Sequence, residues 1–404
     1  MIPRRRIPLR GRDLAVLLND FVESGAARRA AVERFEQAFA AYLGTRYAVA
    51  TASGRDALQL ILDALELASG DEVIIPAFTL GELLPLLQER GLRLIPADVD
   101  PATYNITPAT IGAVLTPRTR AILAVHLLGA PCDIPGIVAL ADARGIAVIE
   151  DCAHGPGGTI DGRAVGTFGR AALFSLEATK PVSAYGGGIA VTDDSHLAAR
   201  IRDVLGQRLA GNAARKKLLV KWAEEWAVRS PLYGPLARVL FSDRFAARFE
   251  QRYRAAHASL RTTRAAAPQA FSSLQAHLAS DRLAALDDRN RRLNARWNEL
   301  AARLPHRFHP QQRERMGQPA FYNFVARFVG DVRALRQAAL RKGLDLGIGS
   351  EVMDDVARML GNPHCPNAGA LADSVVQIPL YDGMGRRRFE RMIHTLHKLA
   401  REVP

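Results

Sequence analysis

Short apolar runs alternate with segments of helical periodicity along the first half of the chain. Residues 146–149, 171–174 and 189–191 are uninterrupted apolar runs, which are typical of strands buried on both faces of a sheet. A segment of helical pattern, residues 137–144, precedes the first of these runs. Because strands that alternate with helices form βαβ units, the pattern predicts an α/β fold with a mostly parallel sheet.

Residues with useful chemistry follow two of these runs. Asp151 comes just after the first run, Ser175 directly follows the second, and Lys180 lies five residues further on. Open α/β sheets bind their ligands at the carboxyl ends of strands. Pyridoxal phosphate needs an amine to form a Schiff base and a carboxylate beside its ring nitrogen. Asp151 and Lys180 suit those two roles, and Ser175 suits a hydrogen bond to the phosphate.

Each of these residues has an ordinary structural explanation when taken singly. A lysine after a strand is most often a solvated loop residue, and an aspartate at a strand end most often caps a helix or turn. A serine alone carries almost no information. Only the joint pattern of the three residues indicates a cofactor site.

The surrounding motifs resemble those of the DegT/StrS-type family of PLP-dependent sugar aminotransferases. These motifs are EDCAHGPGG (150–158), VGTFG (165–169), FSLEATK (174–180) and GGGIAVT (186–192). The resemblance implies the PLP-dependent transferase fold type I, with a large domain and a smaller C-terminal α+β domain. It also implies that Asp151 meets the pyridine nitrogen, that His154 lies against the cofactor and that Ser175 binds phosphate. Lys180 would hold the cofactor covalently, and its presence argues against the dehydratase branch, which has histidine there.

An earlier turn also suits phosphate binding. Ser53, Gly54 and Arg55 join a short strand to an apolar helix, and the start of a helix attracts anions. The resemblance implies that this turn holds the cofactor phosphate. Two residues depart from the family pattern: Arg55 replaces a small hydroxyl residue, and Leu80 replaces an aromatic residue that stacks on the pyridine ring.

The second half of the chain divides into two parts. We predict a large PLP-binding domain over residues 1–205, a basic helical insertion of that domain over 206–270, and a small C-terminal domain over 271–404. Family members carry an asparagine that reaches into the partner subunit's site, and in this chain that position falls on Pro268. The candidate replacements for this contact are Gln269, Arg261 and Arg264.

The insertion is strongly basic. Residues 211–254 carry ten Lys/Arg and four Asp/Glu, and tryptophans 222 and 226 lie among the lysines. Such a segment either packs on a dimer neighbour through its apolar face or lies on an anionic membrane surface. Packing on a neighbour is the favoured interpretation.

Composition limits the remaining possibilities. The chain has 404 residues, 48% of them hydrophobic and 24% charged, and no apolar run approaches the ~20 residues that span a bilayer. No signal-peptide core follows the basic N-terminus, and the three cysteines lack metal-ligand spacing. We therefore expect a cytoplasmic protein without a metal site.

The net charge of +13 favours anionic partners, and a nucleotide diphosphate is one of them. Nucleic acid is not expected, because the sequence carries no recognisable DNA- or RNA-binding motif. His126, in a segment that resembles the family's H-x-x-G, is expected to have a structural role.

The function implied by the resemblance is transfer of an amino group from glutamate or a similar donor to a keto group. The expected acceptor is a nucleotide-linked sugar, the expected intermediate cofactor form is pyridoxamine phosphate, and the expected assembly is a homodimer with shared active sites. Two alternatives remain open. One is another PLP reaction on the same fold, such as dehydration or aromatising amination. The other is a non-catalytic docking protein, which the changes at Leu80 and Pro268 would fit.

Overall fold

The computed structural model describes residues 1–7, 9–206, 213–230, 233–235, 270–313 and 317–403. The described α-helices are α1 (Gly11–Val22), α2 (Gly25–Leu43), α3 (Gly54–Ala64), α4 (Leu84–Gln88), α5 (Pro108–Gly112), α6 (Ile134–Asp142), α7 (Ser195–Gly206), α8 (Ala213–Arg229), α9 (Ser273–Leu283), α10 (Leu286–Ala302), α11 (Val332–Arg341), α12 (Val356–Met359), α13 (Pro366–Ser374) and α14 (Arg386–Glu402). The described strands are β1 (Tyr47–Thr51), β2 (Glu72–Pro76), β3 (Phe78–Thr79), β4 (Arg93–Ala97), β5 (Thr119–Val125), β6 (Ala147–Asp151), β7 (Thr159–Ile160), β8 (Arg163–Ala164), β9 (Ala171–Ser175), β10 (Gly188–Thr192), β11 (Phe308–Pro310), β12 (Gly317–Gln318), β13 (Phe324–Phe328), β14 (Gly347–Ile348), β15 (Asp354–Asp355) and β16 (Val375–Ile378).

A seven-stranded sheet lies at the centre of the N-terminal half, in the order β1-β10-β9-β6-β5-β2-β4. Strands β4, β2, β5, β6 and β9 run parallel, and β10 lies antiparallel between β9 and β1. Every residue of β2 and β10 is buried, as expected for strands that are covered on both faces. The predicted α/β fold with a mostly parallel sheet is therefore confirmed.

Two apolar clusters lie against this sheet. One contains Ile61 of α3 together with most of the parallel strands. The other is built around α2, where Phe35 and Phe39 are fully buried at helical spacing. Phe39 meets Phe174 of β9 edge to face at 5.1 Å, which fixes α2 beneath the strand that leads to Lys180.

A second, smaller sheet occupies the C-terminal half. Its order is β11-β13-β16-β14, and all three of its strand pairs are antiparallel. Leu293 of α10, Leu335 of α11 and Leu396 of α14 are buried in the apolar cluster that covers it. This α+β arrangement agrees with the expected small domain, while the domain limits at 205 and 270 remain predictions.

The C-terminal half also reaches back to the large sheet. β12 pairs with β7, and β15 pairs with β3, in both cases antiparallel. These two short contacts bring residues from beyond position 316 to the loops that follow the parallel strands. Among the described residues, no helix is long and apolar enough to cross a membrane.

Candidate active site

The carboxyl ends of β6 and β9 bring the aspartate and the lysine together. Asp151 is the last residue of β6, its side chain is buried, and its backbone lies in register with Leu173 of β9. Lys180 follows β9 after one turn, in which its N–H donates to the carbonyl oxygen of Glu177 over 2.8 Å. The Lys180 ammonium lies near enough to influence the charge on Asp151.

The electrostatics of Asp151 provide a test of whether the cofactor fits. Burial raises the pKa of Asp151 above its usual value. The N–H of Ala153, 2.9 Å from Oδ1, and the Lys180 ammonium offset this only in part. The ionised carboxylate is therefore short of positive charge. A protonated pyridine nitrogen would supply that charge, so the donor set fits pyridoxal phosphate.

His154 lies three residues beyond Asp151, and its side chain is 4% exposed. Its Nδ1 accepts the N–H of Leu128 over 3.3 Å. Burial, together with the Lys180 ammonium, lowers the pKa of His154 well below its usual value. The imidazole is therefore neutral, with its proton on Nε2.

Tyr322 completes the site, and the sequence analysis missed it. Its ring stacks on His154 with centroids 4.1 Å apart and an angle of 19° between the rings. Lys180 Nζ lies 4.5 Å from the centre of the same ring, and the Tyr322 hydroxyl is 3.3 Å from Thr179 Oγ1. Burial acts to raise the pKa of Tyr322, but the Lys180 ammonium and the Thr179 hydroxyl outweigh it and the pKa is lowered. No local motif marks this residue, which comes from the approach to β13.

Ser53, Gly54 and Ser175 lie side by side. Ser53 caps α3 by accepting the N–H of Asp56 over 3.1 Å, and its backbone pairs with Gly187. A methyl group on Gly54 would lie 3.2 Å from Ser175 Cβ. A methyl group on Gly188 would lie 2.5 Å from the Gly54 nitrogen, so this approach requires glycine. We call Ser53, Gly54, Ser175, Gly187 and Gly188 the cradle.

The two departures from the family pattern have different surroundings. The Arg55 side chain is about half exposed, and its Nη1 lies 3.5 Å from a carboxylate oxygen of Glu82. Leu80 follows β3 and packs, partly buried, against the main apolar cluster. Pro268, Gln269, Arg261 and Arg264 lie outside the described residues.

Helix α8, in the predicted insertion, touches the turn that carries Lys180. Lys217 Nζ lies 2.9 Å from a carboxylate oxygen of Glu177, whose carbonyl oxygen accepts the Lys180 N–H. A methyl group on Gly186 would lie 3.5 Å from the same Lys217 nitrogen. The basic helix is thus adjacent to the cradle.

His126 belongs to a buried network behind the site. Its Nε2 lies 3.0 Å from Glu150, and Glu150 also accepts backbone N–H groups of residues 166, 168 and 169. His126, Glu150 and Cys152 place possible ligand atoms within 4.8 Å of one another. Burial raises the pKa of the Cys152 thiol to about 12. The carboxylate is already satisfied, in keeping with a structural role.

Comparison with known proteins places this arrangement in a family. The model of the DegT/DnrJ/EryC1/StrS aminotransferase family matches residues 14–224, just over half of the 404 residues. Over 160 residues the chain is 46% identical to the UDP-N-acetyl-3-dehydro-alpha-D-glucosamine 3-aminotransferase of Acidithiobacillus ferrooxidans, which covers 39% of this chain and 43% of the relative. Over 228 residues it is 36% identical to the spore coat polysaccharide biosynthesis protein SpsC of Bacillus subtilis, covering 56% and 58%. The chain thus spans about half the length of these curated relatives.

Solved structures agree over nearly the whole chain. The aminotransferase TlmJ from Streptoalloteichus hindustanus matches with a TM-score of 0.77 and 21% identity, covering 99% of this chain and 98% of that one. The S. venezuelae DesV, solved in complex with a ketimine intermediate, matches with a TM-score of 0.75 and 25% identity, covering 99% and 100%. The first of these likenesses supports the fold alone. From the family match, the chain belongs to the DegT/DnrJ/EryC1/StrS aminotransferase family.

Proposed function

We propose that this protein is a PLP-dependent aminotransferase that moves an amino group from glutamate or a similar donor to the keto group of a nucleotide-linked sugar. One observation carries the proposal: the Tyr322 ring stacks on His154 with centroids 4.1 Å apart and lies 4.5 Å from Lys180 Nζ, so the residues that follow the paired strands β6 and β9 meet at one place. Family membership and the names of the two curated relatives support the same reaction class.

Pyridoxal phosphate, when bound, supplies an aldehyde that reacts with amines and a ring that accepts electrons. Ser53, Gly54 and Ser175 would hold its phosphate through hydroxyl and backbone N–H groups. Asp151 would hold a proton on the ring nitrogen by keeping a negative charge beside it. The neutral His154 would lie against the ring without adding charge to it.

Lys180 is the group placed to take part in bond making and proton transfer. Among the candidate site residues, Lys180 carries the amine, and its Nζ would hold and move a proton at the reacting carbon atom. The Tyr322 ring faces this nitrogen and limits the directions in which it can point. Arg55 and Leu80 line the approach in this proposal, with Arg55 held beside Glu82.

The substrate class rests on the named relatives and on charge. One relative acts, by its name, on a UDP-linked sugar, and the other takes part in polysaccharide synthesis. The net charge of +13 suits an anionic nucleotide diphosphate. We propose a homodimer in the cytoplasm, with pyridoxamine phosphate as the intermediate form of the cofactor.

A spectroscopic experiment tests the proposal. Purified full-length protein mixed with pyridoxal phosphate should become yellow and should bleach when glutamate is added. A panel of nucleotide keto-sugars should restore the colour, and the one that does so identifies the acceptor. Lys180→Ala should lose both changes.

Lys342→Ala is the matched control, because Lys342 is a surface lysine paired with Glu402 at 2.9 Å. It should behave like the parent. A stable colour that no amino donor bleaches, with loss of a sugar hydroxyl instead, would show a dehydratase. Absence of colour in the parent would favour the docking protein and contradict the proposal.

A further inference from the structure

Exposed apolar side chains are concentrated on two neighbouring helices. Among the described residues, ten large hydrophobic side chains are exposed, and seven of them belong to α1 or α8. On α1 they are spaced as one face of a helix. We call the set of seven the α1–α8 face: Leu14, Leu18, Phe21, Val22, Leu219, Val220 and Trp226.

The two helices are joined to each other. Arg215 of α8 forms an ion pair with Asp20 of α1 over 2.6 Å, and its guanidinium lies 4.7 Å from the centre of the Phe21 ring. Helix α8 is anchored to the body of the protein by Leu218, which is fully buried. Trp226 on the same helix is 77% exposed.

Charge distinguishes between possible partners of this face. Three of the four acids on the two helices, Asp13, Asp20 and Glu225, are buried and paired with arginines. The fourth acid, Glu224, is paired with Lys221. Cations such as Lys216 and Arg229 remain exposed, so the solvent side of the two helices is positive.

A second copy of the chain is a poor partner for such a surface. A two-fold interface brings the same patch of both subunits together, which would place these cations against themselves. An anionic bilayer offers the opposite charge, and it accepts tryptophan at the boundary between headgroups and acyl chains.

We propose that the α1–α8 face binds the surface of an anionic phospholipid bilayer. The two helices lie parallel to the surface, Trp226 and Phe21 enter the boundary region, and the neighbouring lysines and arginines meet phosphate headgroups. This inference is independent of the proposed reaction, because none of the seven residues belongs to the cradle or to the surroundings of Lys180.

Vesicle sedimentation with the full chain tests the proposal. The protein should sediment with vesicles of phosphatidylcholine and phosphatidylglycerol and not with phosphatidylcholine alone, and added salt should weaken the binding. Trp226→Ser, and separately Leu18→Glu with Phe21→Glu, should each reduce the bound fraction about tenfold or more, since each removes buried apolar area at the membrane. Val329→Ser is the control, because Val329 is 52% exposed and lies just after β13, outside the α1–α8 face. It should bind like the parent.

Light scattering and circular dichroism on the same variants complete the test. The proposal expects unchanged helix content and an unchanged oligomeric state. No sedimentation of the parent with anionic vesicles would overturn it. A change from dimer to monomer in the variants, with vesicle binding unaffected, would overturn it in favour of an interface between copies.

Discussion

The two walls of the candidate active site are built in different ways. One wall consists of Asp151, His154, Ser175 and Lys180, which end or follow the neighbouring parallel strands β6 and β9. The other wall is Tyr322, which arrives from the C-terminal half of the chain just before β13. The residues of the first wall can be recognised from short sequence motifs. Tyr322 joins the site only through contacts between segments that are far apart in the sequence.

The largest effect is expected when the negative charge of Asp151 is removed from the first wall. Asp151→Asn removes the carboxylate that would keep a proton on the ring nitrogen, and turnover should fall about a thousandfold. Steady-state kinetics with glutamate measures this. A cofactor analogue with a permanently methylated ring nitrogen should restore part of the loss, because it carries the charge itself.

Asp142→Asn is the control for that experiment, since Asp142 is exposed at the end of α6. Its turnover should match that of the parent. Equal activity of Asp151→Asn and the parent would show that the first wall does not act through this carboxylate.

A second change tests the packing behind the first wall. Gly188→Ala places a methyl group 2.5 Å from backbone atoms of Ser53 and Gly54, so the cradle must open. We expect a loss of about 2 kcal/mol in the free energy of unfolding, together with weaker cofactor binding. Urea unfolding and a cofactor titration measure the two effects.

Gly206→Ala is the matched control, because a methyl group there meets nothing within 4 Å and the residue ends α7. Its stability should equal or slightly exceed that of the parent. If Gly188→Ala keeps the stability and the cofactor binding of the parent, the backbone around Gly188 can shift to accommodate the methyl group, and this prediction is wrong.

A third pair of substitutions tests the role of Tyr322, the second wall. Tyr322→Leu removes the ring that contacts both His154 and Lys180, whereas Tyr322→Phe keeps the ring and removes the hydroxyl. Because such ring contacts are worth about 1 kcal/mol, turnover should fall about fivefold in the leucine variant and much less in the phenylalanine variant. Single-turnover kinetics separates the two variants.

Tyr42→Phe serves as the control, since the Tyr42 hydroxyl donates to Asp287 over 2.5 Å and not to an active-site residue. Equal losses in the two Tyr322 variants would assign the effect to the hydroxyl and its contact with Thr179. The second wall would then act by hydrogen bonding and not by its ring.

The smallest expected effect concerns pH. Burial raises the pKa of Asp151 in the folded chain, so the folded state binds the proton more tightly than the unfolded state. Without cofactor, Asp151 therefore opposes folding progressively more as pH rises from the usual aspartate pKa to the raised one. Cofactor-free Asp151→Asn should gain stability over the parent as pH increases through that window and show no gain below it.

Urea unfolding of the cofactor-free proteins across this pH range measures the difference. Asp142→Asn, exposed, should follow the parent at every pH. A gain for Asp151→Asn that grows toward low pH would reverse the sign and refute this account of the site.

The same contrast explains what the sequence could predict. Parallel order, strand ends and the positions of Asp151, Ser175 and Lys180 follow from local hydrophobic patterns, because neighbouring βαβ units place consecutive strand ends together. The resemblance to the family, carried by motifs within 150–192, is confirmed by the family match.

The remaining features depend on contacts between distant residues. Nothing near position 322 indicates that its ring would stack on His154, because that contact depends on the pairing of β12 with β7. The link between Lys217 and Glu177 likewise requires the packing of α8, which no motif within the helix encodes. The roles assigned to the site residues remain predictions.

One buried ion pair has a consequence for α1, the helix that carries four of the seven residues of the α1–α8 face. Asp13 of α1 accepts two hydrogen bonds from Arg282 at 2.8 and 2.7 Å and a third from the Tyr185 hydroxyl, next to the glycine turn. Detaching α1 would break all three of these buried hydrogen bonds, two of them between charged groups, each of which contributes about 1.5–3 kcal/mol. The helix must therefore meet any partner as a fixed ridge of the protein and not as a detachable arm.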